Sequence, residues 1–367
     1  MKFTFTMPTR LFFEENGVLN HAEEFAKLGK KAMIITGKHS AKASGALLDV
    51  ETTLSKSGVE YRIFDRVENN PTMTTARIAA DKTATFGADF VIGIGGGSPI
   101  DAAKAVAVLV ANPSMEVSEL FKSKYEKALP IVAIPTTAGT GTEATQYSVL
   151  ANEELQTKLG FGNYHTFPAL SFLDARYTAS LSLDVTINTA IDAFSHSLEG
   201  YLANRSNIIT DCLALDAITM FGSAIDSLTA GKLDFSTREK LLYVSMLGGV
   251  VIAQASVTLQ HGMGYCFTYF HDIPHGKANG LLMREYLKFV YPEVKDKVDT
   301  AMSRMGFSSI DAFAGKLEQL IGKAPLLSAK EVEQYTKLSL LQKGSIANTP
   351  RTVTETEICS IWQKFAK

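Results

Sequence analysis

Asp192, His196, His261 and His275 are the side chains whose types and spacing point most directly to chemistry, because three imidazoles and a carboxylate complete a ligand set for a divalent transition metal. Asp192 and His196 stand four residues apart in TAIDAFSHSLEGYLA, so on a helix they share a face and can grip one ion together. His261 and His275 are fourteen residues apart in HGMGYCFTYFHDIPHGKANG, each followed by a glycine that would let the backbone swing an imidazole toward the same point. A lone histidine near apolar residues is more often a hydrogen-bonded core group, and that is the first reading for His21, His39, His165 and His271. Four potential ligands converging in segments otherwise poor in charge outweigh that default.

Two glycine-rich turns supply a different chemistry. In ADFVIGIGGGSPIDAAKAVAVLV, Val91, Ile92 and Ile94 read as a buried strand and Gly95, Gly96, Gly97 and Ser98 as a tight loop, with Pro99 opening a helix through Asp101 and Lys104. Bare backbone amides at the positive end of a helix suit a diphosphate, although the run is no GxGxxG fingerprint. In LPIVAIPTTAGTGTEAT, Thr136, Thr137, Thr140 and Thr142 interleave with Gly139 and Gly141, so hydroxyls and bare backbone are available for ribose and phosphate oxygens.

The elements that must position these groups follow from the hydrophobic period, which changes near residue 175. Before it, KAMIITG, YRIFD, ADFVIGIG, LPIVAIP and ALSFLD alternate with helical stretches, the pattern of a parallel sheet with crossover helices. After it the runs are long and helical, as in VTINTAIDAFSHSLEGYLAN, IITDCLALDAITMFGSAIDSL, TREKLLYVSMLGGVVIAQAS and ANGLLMREYLKFV. The expectation is an α/β nucleotide-binding domain, Rossmann-like, over residues 1–175 and an all-helical metal-binding and catalytic domain over 176–367, with the cofactor loops facing the metal ligands across a cleft. The N-terminal KFTFTMP alternates as an edge strand would, pairing with its own sheet or with a second copy in a homodimer.

Composition bounds the rest. The chain of 367 residues is 46% hydrophobic and 20% charged, ample for two cores. A net charge of −2 without a basic tract argues against a nucleic-acid partner. No run of eighteen apolar residues and no leader pattern in MKFTFTMPTRLFF are visible, so a cytoplasmic protein with no membrane partner is expected. Cys212, Cys266 and Cys359 are widely spaced and fit a reducing compartment, with Cys266 near enough to the ligand segment to be open to oxidation.

GGGSPIDAAK, PTTAGTGTE, the Asp192 to His196 segment and HGMGY with PHGKANG together resemble the iron-containing, or group III, alcohol dehydrogenases, in that family's order and over nearly the whole chain. The resemblance implies a metal-dependent enzyme transferring a hydride between NAD(P)(H) and a small primary alcohol, diol or aldehyde. It implies Asp192, His196, His261 and His275 as ligands of Fe²⁺, with Zn²⁺ or another divalent metal compatible with the same donors. It likewise implies Gly95, Gly96, Gly97 and Ser98 as the diphosphate loop, with Asp101, Thr136, Thr137 and Thr140 as further cofactor contacts and Lys158 reaching the nicotinamide ribose.

Two positions depart from the family pattern. Many NAD-dependent members carry Asp at the end of the second strand, where this chain has Gly37 followed by Lys38, His39 and Ser40. Room, donors and positive charge there favour the 2′-phosphate of NADP over NAD. Tyr265 stands where many relatives place a histidine, so the proton would leave through water, the ribose hydroxyls, Tyr265 or His271, the last also readable as a cap.

Rival readings are a reductase of a phosphonated or sulfonated aldehyde, and a lyase resembling dehydroquinate synthase. The lyase wants a Glu among the ligands and a basic cluster; glycerol dehydrogenases resemble an Asp-His-His pattern. A non-enzymatic metal- or nucleotide-binding protein would need the whole set idle.

Overall fold

The structure, a computed structural model, describes residues 2–153 and 157–367. The chain divides into two compact units, Met7–Leu181 and Ser182–Lys367, the second taking in the chain start as far as Thr6.

In the first unit the strands are β1 (Arg10–Phe13), β2 (Lys31–Gly37), β3 (Glu60–Val67), β4 (Phe90–Gly95), β5 (Ile131–Pro135), β6 (Ser148–Asn152), β7 (Thr157–Phe161) and β8 (Leu170–Leu173). Its helices are α1 (Gly17–Asn20), α2 (Ala22–Leu28), α3 (Ser40–Ala43), α4 (Ala46–Lys56), α5 (Met73–Phe86) and α6 (Gly97–Ala111). Six strands form one parallel sheet in the order β1-β8-β5-β4-β2-β3. The run KAMIITG shows why these segments become interior strands. Alternation sends Ala32 and Ile34 into a core with Phe90, Ile92 and α4, and Met33 and Ile35 into a second core with α5 and α6, so nearly every position must be apolar. The parallel order brings the carboxyl ends of the adjacent strands β2, β4 and β5, and hence the loops after Gly37, Gly95 and Pro135, to one edge of the sheet. β6 and β7 form a separate antiparallel hairpin, unannounced by the alternating pattern.

KFTFTMP is not a strand. Residues 2–9 carry no ladder, and the sheet begins at Arg10, which pairs with Leu170. The Thr6 amide and carbonyl are instead satisfied by the Gln254 side-chain amide, at 3.0 and 2.7 Å, so the alternation reflects side chains settling on helices rather than sheet pairing.

The second unit is built on α7 (Leu183–Leu202), α8 (Ile208–Thr229), α9 (Phe235–Ala255), α10 (Leu259–His271) and α11 (His275–Arg304), followed by α12 (Ile310–Ile321), α13 (Ala329–Ser339), α14 (Lys343–Asn348) and α15 (Glu355–Gln363). Ser182, Asn207 and Asp234 cap α7, α8 and α9 by accepting from amides of the first turn. From Ala190 to Leu202 every residue of α7 is buried, because α8, α9 and α11 all pack on it. α8 is long and apolar enough to cross a membrane by length and composition, and it packs against α7 and α9.

Candidate active site

In the α/β unit the two glycine turns meet. α6 starts at Gly97, two residues before Pro99, so the amides of its first turn follow directly from β4. Gly95 has φ +150, and a β-carbon there would lie 2.6 Å from Pro99 Cγ, so the turn from strand into helix needs glycine. The Thr137 and Thr140 side chains lie directly over Gly96 and Gly97, where added β-carbons would meet their methyls at 3.3 and 2.9 Å. The Thr136 amide donates to the Gly95 carbonyl at 2.8 Å. Lys158 is joined to the same loop through a residue that sequence reasoning missed: its Nζ donates to Asn70 Oδ1 at 2.6 Å, and the Asn70 amide donates to Ser98 Oγ at 3.1 Å. Asn70 has φ 60, and ENNP, a turn signal before a proline, was the available clue. Gly37 closes β2, with Lys38 and His39 exposed beyond it and Ser40 opening α3.

Asp101 faces inward. Its oxygens accept from Thr142 Oγ1 at 2.7 Å and the Val149 amide at 3.0 Å, so they are engaged by the protein itself. One turn on, the fully buried Lys104 donates to the carbonyls of Thr142, Thr145 and Tyr147 at 2.7, 2.8 and 2.7 Å. Burial pushes the Asp101 carboxyl up to about 6 and the Glu143 carboxyl up to about 7, and pushes Lys104 down to about 8, against the mutual attraction of the charges.

In the helical unit, α7 carries Asp192 and His196 one turn apart, α10 carries His261 in its first turn, and His275 is the first residue of α11. One ligand atom each from Asp192, His261 and His275 lies within 4.8 Å of the others. His261 Nε2 and His275 Nε2 are 2.9 Å apart, and the His196 ring centroid is 5.1 Å from that of His261. Asn279, one turn after His275 and fully buried, donates from Nδ2 to Asp192 Oδ1 at 3.2 Å. The glycines after the two histidines do not act as swivels, since both are helical. Gly276 is required because α11 crosses α7 so closely that a β-carbon would overlap the Asn188 carbonyl and meet Asp192 Cβ at 2.9 Å.

Burial pushes the Asp192 carboxyl up, but His196, His275 and His261 with Asn279 outweigh it and hold the carboxyl below its ordinary range. Burial likewise disfavours a charged His261, yet the Glu199 carboxylate and Asp192 more than offset it and its pKa rises. Glu199 was missed in the sequence, although Asp192, His196 and Glu199 form an i, i+4, i+7 stripe of ionisable groups on the fully buried half of the helix. The donor set fits a divalent cation: a buried carboxylate held ionised and imidazole nitrogens facing one another have no better common partner.

Tyr265 joins this cluster, its ring stacked on His275 at 5.2 Å and 12° and edge-on to His261 at 6.1 Å. His271 has other partners, Tyr335 OH at 2.9 Å and Glu331 at 3.9 Å. Cys266 is buried, and burial pushes its thiol up to about 12, which disfavours the thiolate through which oxidation would start.

Residues 8–175 match the family model of the iron-containing alcohol dehydrogenases, and residues 186–365 match the model of that family's C-terminal region. The chain belongs to the iron-containing alcohol dehydrogenase family. An iron-containing alcohol dehydrogenase of Thermotoga maritima is similar in structure over 99% of both chains, with 37% identity and a TM-score of 0.92. The 1,3-propanediol dehydrogenase of Klebsiella pneumoniae is 29% identical over 99% of this chain and 98% of its own. An NADPH-dependent butanol dehydrogenase of Clostridium saccharobutylicum is 29% identical over 78% of this chain and 73% of its own. The protein is thus an oxidoreductase acting on CH–OH groups and the corresponding carbonyls, of a family that uses a divalent metal and a nicotinamide nucleotide.

Proposed function

We propose that this alcohol dehydrogenase interconverts small primary alcohols or diols and their aldehydes with NADP(H), using Fe²⁺ held by Asp192, His196, His261 and His275. The observation that carries the reading is the approach of Asp192, His261 and His275 donor atoms to within 4.8 Å of one another in a buried site, with His196 one turn along the same helix from Asp192. When bound, the ion supplies Lewis acidity toward an alcohol or carbonyl oxygen, and the nucleotide supplies the hydride donor or acceptor.

The residues of the chain do the rest. Asp192 brings one negative charge against the incoming cation, and Asn279 holds one of its oxygens. The first-turn amides of α6 with Gly95, Gly96, Gly97 and Ser98 receive the diphosphate, while Thr137 and Thr140 fix the width of that loop. Thr136 belongs to the same turn, and Lys158 reaches it through Asn70. Asp101 serves the loop from beneath, since its oxygens are occupied. NADP over NAD is supported by Gly37, Lys38 and Ser40 at the end of β2, where Gly37 itself brings no carboxylate against a 2′-phosphate, and by likeness to the NADPH-dependent butanol dehydrogenase. For the proton, Tyr265, packed on His275, is a better candidate than His271, which is engaged by Tyr335. A cytoplasmic homodimer completes the proposal; β1 lies at the edge of its sheet and pairs only with β8 among the described residues, leaving backbone groups for a second copy.

The test is anaerobic loading of metal-stripped protein with Fe²⁺ or Zn²⁺, followed by NADPH and NADH oxidation with propanal, butanal, lactaldehyde and a sulfonated aldehyde. Metal-dependent turnover of the uncharged aldehydes, faster with NADPH and reduced about 10³-fold or more by His261→Ala, is expected. Preference for the sulfonated substrate, or turnover unaffected by metal, would overturn it.

A further inference from the structure

Glu199 is a fully buried carboxylate on α7 whose two oxygens have separate tasks. Thr258 is the residue before α10, and its side chain makes no capping bond to that helix. Glu199 Oε2 takes over the cap from a distance, accepting from the Thr258 amide at 2.8 Å, Thr258 Oγ1 at 2.7 Å and the His261 amide at 3.3 Å. Glu199 Oε1 faces His261 Nδ1 at 3.2 Å. A carboxylate only accepts, so the Nδ1 it faces must carry hydrogen, and the lone pair of the neutral ring then lies on Nε2. That nitrogen points at His275 Nε2, 2.9 Å away, inside the Asp192 cluster. Asn279 Nδ2 also approaches His261 Nδ1, at 3.3 Å, but a bare Nδ1 accepting from that amide would set its lone pair against Glu199 Oε1 at 3.2 Å.

We propose that Glu199 is a positioning residue that fixes the Nδ1–H tautomer of His261, by the same carboxylate that anchors the start of α10, and so presents Nε2 to the metal. The inference rests on the metal reading above, with Glu199 acting through His261 and touching neither substrate nor ion. Coupling the cap to the tautomer has a physical logic. Rotating His261 away from its productive pose would also disturb the hydrogen bonds that start its own helix, so ligand orientation is enforced by backbone that cannot relax independently.

Glu199→Gln separates the two tasks. Its single carbonyl oxygen must stay on the Thr258 and His261 amides, because turning the amide nitrogen toward them would orphan both, whereas the Thr258 hydroxyl could turn to Tyr286 OH. The nitrogen then faces His261 Nδ1 and donates to it, forcing hydrogen onto Nε2. The experiment reads His261 tautomer by ¹⁵N-histidine NMR of metal-free protein and Zn²⁺ affinity by chelator competition, for wild type and E199Q. The expected result is an Nδ1–H signature in wild type, an Nε2–H signature in E199Q, a 10- to 100-fold weaker Zn²⁺ affinity and an apoprotein melting within a few degrees of wild type. Unchanged Zn²⁺ affinity in a folded E199Q, or an Nε2–H signature in wild type, would overturn the proposal; the wild-type spectrum decides even where the variant does not fold. Failure of wild type itself to bind Zn²⁺ would instead strike the metal reading, leaving the tautomer comparison to decide the role of Glu199.

Discussion

The α/β unit and the helical unit each bury a cluster of ionisable side chains, and the two are balanced in opposite ways. Beneath the nucleotide loops, Asp101, Lys104 and Glu143 bring both signs of charge, and Lys104 spends its donors on three backbone carbonyls. That cluster is closed in that it carries its own cation, although Glu143 Oε1 has no hydrogen-bond partner. In the helical unit, Asp192, His261 and His275 present acceptors or ambivalent nitrogens to one another, with Asn279 the amide donor among them. That cluster is open and has room in its chemistry for a cation. Burial of charge alone therefore does not mark a metal site; the marker is whether the group supplies its own cation.

Breaking the closed cluster should cost most. Lys104→Met leaves two carboxyls without their cation and takes the charged donor from three carbonyls, and about 3–5 kcal/mol of unfolding free energy should be lost in urea titration. A loss under about 1 kcal/mol would show that the pair does not anchor the Thr142 to Tyr147 segment.

Removing metal should discriminate between the units. With free ion at about 100 times its Kd, the native state gains about 2.7 kcal/mol, so chelation should speed hydrogen exchange of α7, α10 and α11 amides while leaving β2 and β4 unchanged. Equal acceleration in both units would contradict the contrast.

Smaller over any single pH unit is a pH dependence, at most about 1.4 kcal/mol per unit. The folded-state pKa of Glu143, about 7, lies above its ordinary 4.5, so the proton is bound more tightly in the folded chain. The stability this confers is complete below about pH 4.5 and is lost as pH rises through about 7. Glu143→Gln does not titrate, so its melting temperature should gain on wild type between those values and stay at a constant difference below them. A difference that shrinks with rising pH would show that Lys104 outweighs burial.

Much of this was legible in the sequence. KAMIITG and ADFVIGIG are apolar at nearly every interior position because both faces of β2 and β4 are covered, and that pattern survives into the fold. Asp192 and His196 were legible because a helix repeats every four residues. KFTFTMP misled because alternation reports two unlike environments and does not name strand pairing as their cause; Gln254, 248 residues from Thr6, supplies the hydrogen bonds. Gly276 misled for a related reason, since its role depends on the Asn188 carbonyl of another helix. Asn70, Glu199 and Asn279 each act through a partner far along the chain, and long-range pairing leaves little local trace in a single sequence.

The most direct measurement is anomalous diffraction at the iron edge from crystals grown with Fe²⁺ under anaerobic conditions. The account predicts one strong peak about 2.0–2.2 Å from a carboxylate oxygen of Asp192 and from one ring nitrogen each of His196, His261 and His275. A peak elsewhere, or none here in protein that turns over an aldehyde with NADPH, would contradict it.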